Sequence, residues 1–199
     1  MQHDMESFKN NKKFQATLNA AKMLFWKHGI KRVSIDEICA EAPVSKMTFY
    51  KFFKNKEALA KYLLTEVLSN WHQQYREIIS QEIPFTTKIK QVIDLEQKVS
   101  ENMGEEFIKD IYQNEYTELQ NMIDTDRNRY NGEVVKDMIE AQKQGEIRKD
   151  IKPEFILYLL EDIGIKIMDE NLSALYSSKQ ELIMELTNYF FYGIVNGEK

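Results

Sequence analysis

The chain has 199 residues, 43% of them hydrophobic and 30% charged, with a net charge of −5 and a single cysteine. That length buries a sizeable core in one domain or two small ones. The lone cysteine excludes an intrachain disulfide, no apolar run reaches the roughly 18 residues of a membrane-spanning helix, and no basic-then-apolar leader precedes the first helix, so a cytoplasmic protein without membrane contact is expected.

Residues 1–9 read as a polar, frayed start. Phe14, Leu18, Ala21 and Phe25 then form one stripe of an amphipathic helix, and Gly29 stands just past its end. Ser34 opens a second helix, with Glu37 placed to complete a capping box and Ile35, Ile38 and Cys39 giving a buried face. Ala42-Pro43-Val44 breaks that helix. Ser45 caps a third short helix, and Asn55 caps the long one after it. Two short helices joined by a tight turn are the layout of a helix-turn-helix, whose second helix enters the DNA major groove.

At about 100° per residue, the second helix of the pair splits into two faces. Phe49 and Phe53, with Ser45 and Phe52 beside them, form the core side. Met47 and Lys51 lie opposite, flanked by Thr48 and Tyr50, while Lys46 sits in the first turn within reach of a phosphate. Hydroxyl and ammonium groups suit phosphate oxygens, and a methionine suits a thymine methyl. Lys54 and Lys56 follow at the start of the next helix. Charge divides the chain in the same way. Residues 1–60 carry 11 Lys and Arg against 6 Asp and Glu, and the remainder 16 against 26. A basic head and an acidic body suit DNA approach by the head alone.

Residues 10–60 resemble the DNA-binding domain of TetR-family transcriptional regulators. The likeness is densest at Val44–Leu59, VSKMTFYKFFKNKEAL, which is similar to the family's usual run V-S-K-G-T-L-Y-Y-H-F-K-N-K-E-x-L. Ser45, Lys46, Thr48, Tyr50, Phe53, Lys54, Asn55, Lys56, Glu57 and Leu59 coincide with it. Upstream, His28-Gly29, Val33-Ser34-Ile35 and Ile38 also fit. The resemblance implies phosphate or base-edge roles for Ser34, Lys46, Thr48, Tyr50 and Lys56. With the residues read from the helix faces, the candidate DNA-binding set is Ser34, Ser45, Lys46, Met47, Thr48, Tyr50, Lys51, Lys54 and Lys56. The chain departs from the pattern at Met47 (usually Gly), Lys51 (usually aromatic), Phe52 (usually His) and Pro43 (usually Gly). Met47 and Lys51 lie on the groove face, so no operator sequence carries over.

After Leu59 the chain reads as all helix. Helices are expected over about Lys56–Ser80, Thr86–Met103, a stretch through Phe107, Ile111 and Tyr112, Tyr116–Gln144 with a possible interruption at Asn131-Gly132, Pro153–Ala174 and Lys179–Val195. The fold class is therefore all-α, with about nine helices: a helix-turn-helix domain at 10–55 and a helical effector-binding and dimerisation domain at 56–199. The last two helices are apolar most of the way round, from Phe155–Leu160 and Ile163–Met168 in one and from Leu182–Leu186 and Tyr189–Val195 in the other. A helix of that kind is buried on two sides, which predicts a homodimer. Trp71, Tyr75, Met103, Phe107, Tyr112, Tyr116, Met122 and Met168 are candidates for an apolar effector pocket, although plain core packing is the simpler explanation for any one of them.

His3, His28 and His72 have no second His or Cys at ligand spacing, and no Gly-rich phosphate loop or nucleophile elbow is present. No metal, cofactor or enzymatic activity is expected. The reading is a DNA-binding transcriptional repressor, dimeric and released from a double-stranded operator by a small-molecule effector. The alternative is a co-regulator of the same fold controlled by a protein partner.

Overall fold

The computed structural model describes residues 7–100, 103–112, 116–167 and 169–194. Ten helices and no strand lie within them: α1 Lys12–His28, α2 Ile35–Glu41, α3 Lys46–Phe52, α4 Lys56–Ile79, α5 Phe85–Ser100, α6 Glu105–Tyr112, α7 Thr117–Gln144, α8 Pro153–Lys166, α9 Glu170–Ser173 and α10 Lys179–Ile194. The chain divides into two compact units, one of residues 1–69 and 102–120, the other of residues 70–101 and 121–199. The first unit contains the expected 10–55 head and adds the start of α4 and all of α6.

In the first unit the predicted α1 stripe is the core. Phe14, Ala21 and Phe25 are fully buried, and Leu18 nearly so. Phe14 stacks on Phe53 at 5.4 Å and meets Phe52 edge-on at 5.3 Å. Each fully buried phenylalanine is worth roughly 1.5–3 kcal/mol over exposure, so this group fixes α3 to α1. The frayed start does not hold for Phe8, whose ring packs on Phe52 at 5.2 Å. Residues 1–6 lie outside the described set.

The unit is closed by α6, far away in sequence. Trp26 stacks on Phe107 at 4.3 Å, and the Gly104 N–H donates to the Trp26 carbonyl at 2.7 Å. Asp110 accepts from the Lys31 N–H at 2.8 Å. Gly29 has φ +79°, and a Cβ there would sit 2.5 Å from the Asp110 carboxylate. Only glycine suits that backbone and that spacing.

In the second unit, Trp71 and Tyr75 of α4 pack with Phe85, Ile89 and Val92 of α5, Val134 and Met138 of α7, Ile156 of α8, and Phe190, Phe191 and Ile194 of α10. α7 runs unbroken through Asn131-Gly132. The expected helix at 153–174 is two helices instead. Asp169 accepts from the N–H groups of Asn171 and Leu172 at 2.9 and 3.1 Å, capping the short α9 and ending α8 before it. Pro153 opens α8 at its first turn, as its fixed φ favours.

Candidate nucleic-acid interface

The helix-turn-helix is set by local hydrogen bonds that the sequence announces. Ser34 and Glu37 form a reciprocal capping box: the Ser34 N–H donates to the Glu37 carboxylate at 2.8 Å, and the Glu37 N–H donates to Ser34 Oγ at 3.2 Å. These bonds hold the Glu37 carboxyl below its usual range. Ser45 Oγ accepts from the Thr48 N–H at 3.1 Å and lies 3.0 Å from Thr48 Oγ1. Asn55 Oδ1 accepts from the Ala58 N–H at 2.8 Å and starts α4.

That frame sorts the α3 side chains. Phe49, Phe52 and Phe53 are buried, while Met47 is 84% and Tyr50 54% exposed. Ser45, Lys46, Lys51 and Lys54 are also exposed, and Thr48 is half-buried. Thus the exposed side chains of α3 are Lys46, Met47, Tyr50 and Lys51, and Ser45 is exposed at its N-cap. Neither Lys51 nor Lys54 has an acidic partner among the described residues.

Three of the candidates have work of their own inside the head. The Lys46 ammonium pairs with Asp36 of α2 at 2.7 Å, which raises its pKa. The pair is exposed, so it adds little stability and exchanges readily for a phosphate. Asp36 was not signalled by the sequence reading. Lys56 is half-buried and donates to the carbonyls of Lys31 and Val33 at 3.0 and 2.8 Å. Burial pushes its pKa down. It ties the loop before α2 to the start of α4. Ser34 spends its hydroxyl and N–H on Glu37, as above. Cys39 is buried, and desolvation raises its thiol pKa, which suits a structural side chain.

The candidate pocket residues fall in both units. Met103, Phe107, Tyr112 and Tyr116 belong to the first, where Phe107 is consumed by its stack on Trp26. Trp71, Tyr75 and Met122 belong to the second, and Met168 lies outside the described residues. In the second unit Trp71 stacks on Tyr75 at 5.3 Å and meets Tyr130 edge-on at 4.3 Å. Charged groups gather around these rings that the sequence reading did not single out. The Tyr75 hydroxyl donates to Asp137 at 2.8 Å, and His72 Nε2 lies 2.8 Å from Asp126 Oδ2. Burial raises the pKa of Asp137 and pushes that of Glu96 up to about 7, an effect the Trp71 indole partly offsets. An open groove beside Asp137 is lined by Phe85, Lys88, Glu140 and Glu146 and holds none of the expected pocket residues.

Among the described residues, no group of three or more His, Cys, Asp and Glu could hold a metal ion, and no helix is long and apolar enough to cross a membrane. Five large apolar side chains of α8 and α10 remain exposed: Phe155, Tyr158, Ile165, Tyr189 and Tyr192.

Residues 18–63 match the family described as bacterial regulatory proteins, tetR family. The transposon Tn10 TetC protein of Escherichia coli is 46% identical over 57 residues, which is 29% of this chain and 28% of that one. The chain thus spans well under half the length of this curated relative. Solved structures are similar over nearly the whole chain. Regulatory protein TetR from Rhodobacter sphaeroides has a TM-score of 0.70 at 16% identity, covering 92% of this chain and 98% of that one. A protein from Saccharomonospora viridis solved in complex with choline has a TM-score of 0.66 at 15% identity, covering 92% of this chain and 97% of that one. At such identities these likenesses bear on fold.

Proposed function

We propose that this chain, a member of the TetR family by its N-terminal domain and its all-helical fold, acts as a homodimeric repressor whose two heads bind one operator. The observation that carries the reading is the exposed face of α3. Lys46, Met47, Tyr50 and Lys51 stand on a helix of two turns held rigidly from behind by Phe49, Phe52 and Phe53. A cationic and hydroxyl-bearing helix backed by a stiff frame suits the major groove, where phosphate contacts position the helix and base edges are read beyond them.

The exposed Phe155, Tyr158, Ile165, Tyr189 and Tyr192 support pairing through α8 and α10. Two such helices from each subunit would bury an apolar surface that a monomer leaves in water. A small-molecule effector bound in the second unit would then favour a dimer whose heads no longer fit successive grooves. Coupling of about 1–3 kcal/mol, or roughly 5–150-fold in affinity, is enough.

The test is selection of genomic DNA fragments by the full-length protein, followed by sequencing. Enrichment of an inverted repeat with half-site centres about 10 base pairs apart, or a multiple of that, supports the reading. Recovery of no common sequence overturns it.

A further inference from the structure

We infer that Met47 reads the 5-methyl group of a thymine in the major groove, so that each operator half-site requires thymine at one position. The inference rests on the DNA-binding reading above. Met47 is the second residue of α3 and, at 84% exposure, the most exposed large apolar side chain among the described residues. Nothing in its own unit asks for it there. The side chains around it are of another kind: Lys46, Lys51 and Lys54 are cationic and exposed, and Tyr50 presents a hydroxyl.

A surface of that charge suits a polyanion. Phosphate oxygens offer nothing to a thioether, however. The major-groove edge of DNA displays hydrogen-bond donors and acceptors together with one apolar group, the thymine methyl. Methionine is long, unbranched and polarizable, so it can meet a methyl whose position is set by the contacts on either side. In the DNA-free head the Lys46 ammonium pairs with Asp36 at 2.7 Å, and on DNA that exposed pair exchanges for a phosphate contact next to Met47 in the chain. Lys51 lies one turn further on, about 6 Å along the axis.

Deoxyuridine tests this directly, because it keeps the hydrogen-bonding edge of thymine and lacks only the methyl. Burying one methyl-sized group is worth about 0.8 kcal/mol, or about a fourfold change in affinity. The probe is a duplex carrying the sequence that the full-length protein selects from a random library. Each thymine is replaced in turn by deoxyuridine, and binding is read by fluorescence anisotropy. Replacement at one position per half-site should weaken binding by wild type about fourfold. Met47→Ala should abolish that difference, and Met47→Leu should retain most of it. The exposure of Met47 leaves folding untouched, which circular dichroism verifies. A selected site without a methyl-sensitive thymine overturns the inference while DNA binding stands, as does a sensitivity that Met47→Ala leaves undiminished. If no sequence is selected at all, the DNA-binding reading falls and takes this inference with it.

Discussion

Replacing Glu96 by glutamine should make the protein more stable at alkaline pH and leave it unchanged in mild acid. Glu96 lies on α5 beside Trp71 and Tyr130, and burial raises its pKa from 4.5 to about 7. The native state therefore holds this proton more tightly than the unfolded chain does. The stability that Glu96 contributes is complete below about pH 4.5 and is lost as pH rises through about 7. At roughly 1.4 kcal/mol per pKa unit, the gap amounts to about 3 kcal/mol. Glu96 is half-buried, and the nearby solvent makes that an upper value. Glutamine has the shape of the neutral acid and never ionises. Urea unfolding followed by circular dichroism should give equal midpoints for wild type and Glu96→Gln near pH 4.5. Near pH 8 the variant should be the more stable by up to about 3 kcal/mol. An equal difference at both pH values would refute the reasoning, because it would show that the effect does not follow the proton.

Gly104→Ala should strongly destabilise the first unit, since its Cβ would overlap the Trp26 carbonyl oxygen, a backbone atom that cannot swing away. Gly145→Ala, with φ +82° but open space around it, should lose only about 1–2 kcal/mol, and urea unfolding compares the two. Lys56→Met should cost about 2 kcal/mol of head stability through its two lost charged hydrogen bonds; unchanged Trp26 fluorescence midpoints in a Trp71→Phe background would show that those bonds contribute nothing. Tyr189→Asp with Tyr192→Asp should give folded monomers by light scattering, whereas Phe191→Asp should unfold the second unit, because Phe191 is buried in its core. A dimer that persists in the double variant would remove α10 from the interface.

What could be read from the sequence was mostly what neighbours in the chain decide. The Ser34–Glu37 capping box, the caps Ser45 and Asn55, and Gly29 after α1 all act within three or four residues, and each was visible as a pattern. The Phe14–Phe25 stripe was visible for the same reason. The contacts that close the head were not. Lys31 meets Asp110 across 79 positions, and Lys56 meets the Val33 carbonyl across 23. No local periodicity encodes such partners, so Lys56 read as a DNA-binding cation at a helix start, and its bonds to the Lys31 and Val33 carbonyls were not foreseen. The apolar character of α8 and α10 predicted burial on two sides. It left open which side faced the core, and the structure puts Phe191 and Ile194 inward and Tyr189 and Tyr192 outward. The break before α9 did carry a signal. Asp169 is a good capping residue, but inside a long apolar run the Asp169-Glu170 pair reads as a solvated face.

The central claim is that α3 binds DNA through its exposed cationic face, and salt dependence tests it most directly. Affinity for the selected duplex should be measured across a series of salt concentrations for wild type and for the Lys46→Ala, Lys51→Ala double variant. Each lost phosphate contact lowers the slope of log affinity against log salt by about one unit. The account predicts weaker binding by the double variant and a slope shallower by about two units for each head engaged. Equal affinity and equal slope for the two proteins would contradict it.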